Sequence, residues 1–480
     1  MACLFPALAP ANPTNYTYTY NEWDVPMPSP DAYRVTAYIL GEQLGIGHFN
    51  RPQDLQVWEN YLYVMDTYNN RIVVLRFDDD GTFELVEVVT HVTMPDGEIS
   101  SFNRPYGIYI SPWELNYGHI WVADTQNQRI LHIDRDWNVV NIIDRSKLER
   151  SLLEEQLEFL PRKLVVDFSG RILLQAYHIN RGLMEFDNEG FFVGYMGAPR
   201  VGISPIEQFW RAIATMEQRE RRELFVPVEY NNVSIDREGF IYVTTTPDVS
   251  PDVHPIRRLN AMGNDILIRN GFTAPIGDLY TGSGAGIFGA SHFGDVTALP
   301  NESYVVLDVK RGRLFSYNSQ GELLYVWGGY GNREGRFLQP TAIESMDFSI
   351  FVLTASSSSI TRFDLTEYGM NINTALDLYQ RGLYDQSVAH WQEVLRMNGN
   401  FGPAYIGIAR NYLRQGNYTE AMRLFRLQND ARGYGRAFGF YRRIWVEDNF
   451  WIFITIIGIL IVVPPVVRKV IRLKREIFGT

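Results

Sequence analysis

The chain has 480 residues, of which 46% are hydrophobic and 14% aromatic. That is room for two or three domains with a large core, and it excludes a disordered chain. The formal net charge is −11, and the last 13 residues, with five Lys/Arg and one Glu, contribute +4, leaving −15 for the rest. Such an acidic body argues against a nucleic-acid partner. The only cysteine is Cys3, so no internal disulfide can form. That suits a reducing compartment, and equally a bacterial envelope protein built without disulfides.

In chain order, the opening MACLFPALAPANPTN is similar to the tail of a secretory signal. Ala9-Pro10-Ala11 supplies a small-residue cleavage site, although no basic segment precedes it. Residues 1–11 are read as a signal remnant and 12–32 as an N-terminal arm. From Tyr33 the pattern alternates with period 2, and a unit then recurs. It begins at FNRPQDLQVW (Phe49), FNRPYGIYIS (Phe102), FLPRKLVVDF (Phe159), YNNVSIDREG (Tyr230), FGDVTALPNE (Phe293) and FLQPTAIESM (Phe337). Each unit holds three or four short strands joined by tight Gly/Asn/Asp turns. A single four-stranded sheet cannot bury both faces; six of them stacked around an axis can.

The motif F-x-x-P at Phe49–Pro52, Phe102–Pro105 and Phe337–Pro340 resembles the NHL-repeat family of six-bladed β-propellers, as does D-x-x-x-x-R at Asp66/Arg71, Asp124/Arg129 and Asp308/Arg313. Units three, four and six lack the Asp/Arg pair. The resemblance implies a mainly β fold, a six-bladed NHL-type propeller over 33–367. In it the Asp/Arg pairs are read as ion pairs that tie turns. The sixth unit ends near Leu365 with three strands, so Tyr33–Leu40 is expected to supply its fourth and close the ring without an open edge.

After Tyr368 the period changes to about 3.6. GLYDQSVAHWQEVL is echoed by GNYTEAMRLF: Gly382 and Gly416, Tyr384 and Tyr418, Trp391 and Phe425 are each 34 residues apart. This spacing resembles tetratricopeptide (TPR) repeats, and a small TPR-like helical domain is expected over 371–447. It reads either as a partner-binding groove or as a rigid stalk. Residues 450–467, FWIFITIIGILIVVPPVV, form an uncharged run of 18 that spans roughly 27 Å as a helix and is therefore read as a transmembrane helix. A basic tail follows over 468–480. By the positive-inside rule the tail is cytosolic and the propeller extracytoplasmic.

Two places are candidates for function. Long insertions between the second and fifth units are expected to rise on one face of the propeller. In SPIEQFWRAIATMEQ, Ser204 and Glu207 form a capping box, and Phe209, Trp210 and Ile213 an apolar stripe. With His254 and Tyr280 from neighbouring loops they form a candidate binding wall. The second place is the mouth of the central channel, where symmetry puts the residues that open the innermost strands in a ring: Asp54, Gly107, Lys163, Asn232, Asp295 and Ala342. This ring resembles that of gluconolactonase-type hydrolases, also six-bladed, which hold a divalent metal there. The resemblance implies Ca²⁺ or Mg²⁺ on Asp54, Asn232 and Asp295, and a lactonase-like activity. Lys163 in the same ring opposes a cation, and Asp and Asn also favour turns for local reasons. The eight histidines show no metal-ligand spacing, and no Walker loop, nucleophile elbow or catalytic cysteine is present. The expected function is therefore a membrane-anchored binding or scaffold protein for a protein or glycan partner, working beside a transporter, with no cofactor of its own. The lactonase-like enzyme is the alternative.

Overall fold

A computed structural model describes residues 17–21, 23, 25–78, 81–148, 158–197, 229–245, 254–270, 274–279 and 289–479. The chain divides into two compact units at Gln380/Arg381.

The first unit is a six-bladed β-propeller. Blade one is built from Asp54–Trp58, Tyr61–Asp66, Arg71–Phe77 and Phe83–Val89, in that order from the axis outward. Blades two, three and five repeat this order from Gly107, Pro161 and Phe293. The tight turns have a local cause. Asp236 Oδ1, for example, accepts from the backbone N–H of Glu238 (3.0 Å) and Phe240 (2.8 Å), while Gly239 takes φ +85°. Carboxylate and glycine together make the D-x-x-G hairpin.

The repeated aspartate of D-x-x-x-x-R grips the chain where it enters a blade. Asp66, fully buried, accepts from the N–H of Asn50 (2.7 Å), from Asn69 Nδ2 (2.8 Å) and from Arg71 Nε (2.7 Å). Asp124 repeats this with Asn103, Asn127 and Arg129. Phe49 and Phe102 of F-x-x-P are each buried one residue before the gripped N–H, and Phe337, in the blade without the aspartate, is buried as well. Blade five differs from the expected pairing. Asp308 Oδ2 accepts from Arg311 Nη1 at 3.0 Å, and Arg313 forms an ion pair with Asp278.

Blade six consists of Pro340–Met346, Ser349–Thr354, Ser359–Leu365 and, as its outer strand, Tyr33–Leu40. Tyr33 pairs with Leu365 and Leu40 with Ser359. A hairpin of Tyr18–Tyr20 and Pro26–Pro28 adds to the outer edge of blade five, Tyr18 opposite Val326. Both Tyr18 and Tyr20 hydroxyls donate to Asp278 Oδ1 at 2.8 Å. Among the described residues blade four has three strands, Tyr230–Ile235, Ile241–Thr245 and Ile256–Leu259. The following stretch begins to pair with the edge, with Leu259 bridged to Asp265 and Ile266 N donating to Arg258 O (2.7 Å), and side chains then take over. Asp265 accepts from Leu267 N (3.0 Å) and Arg269 Nη2 (2.8 Å), and Arg269 Nη2 also donates to Ile256 O (2.9 Å).

Six helices follow: α1 Glu367–Gln380, α2 Tyr384–Met397, α3 Gly402–Arg414, α4 Tyr418–Leu427, α5 Ala431–Asp448 and α6 Phe450–Phe478. Helix α1 belongs to the first unit, where Asn373 Nδ2 donates to Tyr325 Oη (3.0 Å) and Gln380 Nε2 to Asn301 O (2.6 Å). The second unit starts at Arg381. Gly382 (φ +80°) and Gly416 (φ +78°) supply the left-handed residue that precedes α2 and α4. Trp391 and Phe425 are buried at equivalent places, and Gly407 leaves room for the Trp391 indole. Helix α6 is long and apolar enough to cross a membrane and none of its apolar window is buried. It runs through Pro464-Pro465 and the basic segment to Phe478, so the helix is longer than its apolar core.

Candidate functional site

The six innermost strands line a central cavity of about 190 Å³. Four of them, those of blades three to six, start with an irregularity that aims their side chains. Register shifts lie between Pro161 and Lys163, Tyr230 and Asn232, Phe293 and Asp295, and Pro340 and Ala342. A bulge of this kind re-aims the next side chain. The cavity is lined by Asp54, Lys163, Asn232 and Asp295, which are all buried.

These four hold one another. The Lys163 ammonium donates to Asp54 Oδ1 and stands 3.8 Å from Asp295 Oδ2. Asn232 Nδ2 donates to Asp295 Oδ1. The carboxylates also cap backbone: Asp54 Oδ2 accepts from Ile108 N (2.9 Å) and Asp295 Oδ2 from Ile343 N (2.9 Å). Each aspartate thus stitches its own inner strand to a neighbouring blade. Burial pushes Asp54 up and Asp295 up to about 6, with the Lys163 charge opposing both shifts. Burial works against the Lys163 ammonium too, but Asp54 and Asp295 outweigh it and hold the lysine charged.

Gly107 and Ala342 fill the remaining ring positions with almost no side chain. A Cβ on Gly107 would stand 2.2 Å from the Arg162 carbonyl oxygen. Gly107→Ala is therefore expected to force the inner strands of blades two and three apart, at a cost of about 2–4 kcal/mol. Urea denaturation measures it, and an unchanged midpoint would show that the strands can yield.

A second ring lies two residues further along each inner strand: Gln56, Tyr109, Val165, Ser234, Thr297 and Glu344. Sequence reasoning stopped at the first ring and missed it, although the period-2 alternation of a strand points both sets inward. Glu344 Oε1 accepts from Ser345 N (3.0 Å) and Thr297 Oγ1 (3.3 Å). Burial, reinforced by the charges of Asp295 and Asp54, raises the Glu344 carboxyl to about 8. The first-to-second-strand hairpins of blades four, five and six contribute to the rim. There Arg237 Nη2 meets Asp347 Oδ1 at 2.9 Å, and Arg258 Nη2 meets Asp236 Oδ2 at 2.7 Å. Among the described residues, seven carboxylates and three cations (Lys163, Arg237 and Arg258) line the cavity. No group of three or more His, Cys, Asp or Glu side chains among the described residues is placed to hold a metal.

On the candidate insertion face, Phe209, Trp210, Ile213 and Tyr280 lie outside the described residues, as do Ser204, Glu207 and residues 1–11. The backbone carbonyl of His254 accepts from Thr245 Oγ1 at 3.2 Å.

No protein-family model and no curated protein matches the chain. Solved structures do. Virginiamycin B lyase from Staphylococcus aureus is 10% identical with a TM-score of 0.43, and the match covers 70% of this chain and 100% of that one. A streptogramin B lyase is 13% identical with a TM-score of 0.39, over 66% and 97% of the two chains. The extracellular domain of the two-component system BT4673 from B. thetaiotaomicron is 11% identical with a TM-score of 0.37, over 69% and 42%. At 10–13% identity and TM-scores below 0.5 these likenesses say nothing of activity.

Proposed function

We propose that this is a single-pass membrane protein that holds an NHL-type propeller outside the cytosol, as a binding or scaffold module for a protein or glycan partner. The observation that carries the reading is α6. Its apolar window is wholly exposed, and Arg468, Lys469, Arg472, Lys474 and Arg475 follow at once. An exposed apolar helix of this length needs lipid, and the clustered cations orient it with its C-terminal end in the cytosol. The TPR-like spacing of α2 to α4 suits a stalk or groove between membrane and propeller, and a transporter is a fitting neighbour in the same bilayer. The Lys163 ammonium between Asp54 and Asp295 counts against a lactonase-like hydrolase, because it takes the oxygens that Ca²⁺ or Mg²⁺ would need.

The test is protease treatment of intact protoplasts carrying the protein with a C-terminal tag. The propeller is expected to be digested and the tag spared. A propeller that stays protected until detergent is added would overturn the topology.

A further inference from the structure

The channel is more than a plug of paired charges. Asn232 is 2% exposed, and its Oδ1 has no hydrogen-bond partner among the described residues. Its orientation is fixed, because the acceptor Asp295 requires the amide nitrogen on its side. A buried amide oxygen without a donor is costly and asks for one. In the same cavity Glu344 has only its Oε1 engaged in hydrogen bonds among the described residues. The excess of carboxylates over cations makes the whole cavity and its rim negative, a field that concentrates cations.

We propose that the channel binds a small organic cation with a primary ammonium group, which enters from the rim of first-to-second-strand hairpins and is held by Glu344 and Asn232. The chemistry follows from the unused groups. Both are acceptors, and an ammonium brings three donors and a charge. The protein already lodges one ammonium here, that of Lys163 between Asp54 and Asp295. A divalent metal fits less well, since three clustered metal-ligating side chains are absent among the described residues. Entry is open to a cation because the Arg237–Asp347 pair at the rim is exposed on both sides, and such pairs hold with little energy. The groups facing Glu344 from the other blades are Asp54, Tyr109, Lys163 and Asp295. This inference concerns the channel alone and stands apart from the membrane topology proposed above.

The test is calorimetric titration of the full chain in detergent with 1,4-diaminobutane, 1,4-butanediol and CaCl₂. The diamine is expected to bind once per chain and the diol of equal length not at all. Because Glu344 must be ionised to hold the cation, diamine affinity should fall about twentyfold from pH 8.5 to pH 6.5. Glu344→Gln should weaken the diamine at least tenfold and remove the pH dependence, while its melting temperature stays at or above that of the parent. Equal binding of diol and diamine, no binding of the diamine, saturation by Ca²⁺ alone, or unaltered affinity in Glu344→Gln would each overturn the proposal. The protease assay is unaffected by any of these results, so the two failures are distinguishable.

Discussion

A chain that starts at Gly45 is expected to aggregate, or to melt at least about 10 °C below the parent. The lost segment includes the outer strand of blade six, whose residues pair with Ser359–Leu365 along its whole length. Its removal takes away a ladder of backbone hydrogen bonds. It also uncovers Ile360 and Phe363, which are buried in the parent, and the Trp327 ring, on which Tyr33 stacks at 4.5 Å. The exposed strand would then be a template for pairing with another chain. Differential scanning calorimetry and size-exclusion chromatography read both outcomes. Adding a peptide of residues 17–44 should restore part of the lost stability, since the segment pairs without any special covalent link. Equal melting of the two chains would mean that the ring is held by side-chain packing between blades alone.

The second large effect lies at the axis. Lys163→Met leaves Asp54 and Asp295 buried without a counter-ion, and should cost about 3–5 kcal/mol near pH 8. The sign of the pH dependence is fixed. Both carboxyls are already raised by burial in the parent, and losing the ammonium raises them further. A carboxyl whose folded-state pKa lies above its unfolded value binds more protons when folded. Folding is therefore helped as pH falls from the folded pKa towards about 4, the unfolded value. The deficit of Lys163→Met should shrink markedly between pH 8 and pH 5 in urea titrations. A deficit equal at both pH values would show that lost packing of the lysine stem dominates. Adding Asp54→Asn and Asp295→Asn to Lys163→Met should recover much of the loss, because neutral groups of similar shape need no partner charge.

Much of this molecule is legible in its sequence, for identifiable reasons. The propeller shows because one structural unit is written six times, and a repeated signal survives noise that would hide a single strand. The ring of Asp54, Lys163, Asn232 and Asp295 shows because each opens an equivalent strand, so that one alignment of the repeats places all of them. What the alignment lacks is depth along the strand, and Glu344, two residues past Ala342, was passed over. The mutual neutralisation of Lys163 with two aspartates is also invisible in sequence, since it joins blades one, three and five across the axis. The hairpin of Tyr18–Pro28 was read only as an arm, although Tyr18, Thr19 and Tyr20 alternate as a strand does; its dock on Val326 lies at the far end of the chain. Blade four misled in the opposite way. DILI starts to pair as a strand would, with Ile266 N on Arg258 O, but the Arg269 side chain then takes the Ile256 carbonyl in place of a continued ladder.

The attachment of α1 has a mechanical consequence. Any pull exerted through α6 reaches the propeller at Leu365, the end of a strand flanked on both sides by ladders, Ser349–Thr354 on one and Tyr33–Leu40 on the other. A force along that strand loads many hydrogen bonds at once in shear, whereas a force on an edge strand would open them one by one. Before the pull reaches the strand it must also free α1. That helix is anchored to blade five through Asn373 on Tyr325 and Gln380 on Asn301, and Thr366 Oγ1 donates to the Asp31 carbonyl at 2.5 Å. The chain therefore enters where the wheel is best braced, and a load on the propeller would be spread over two blades instead of unzipping one.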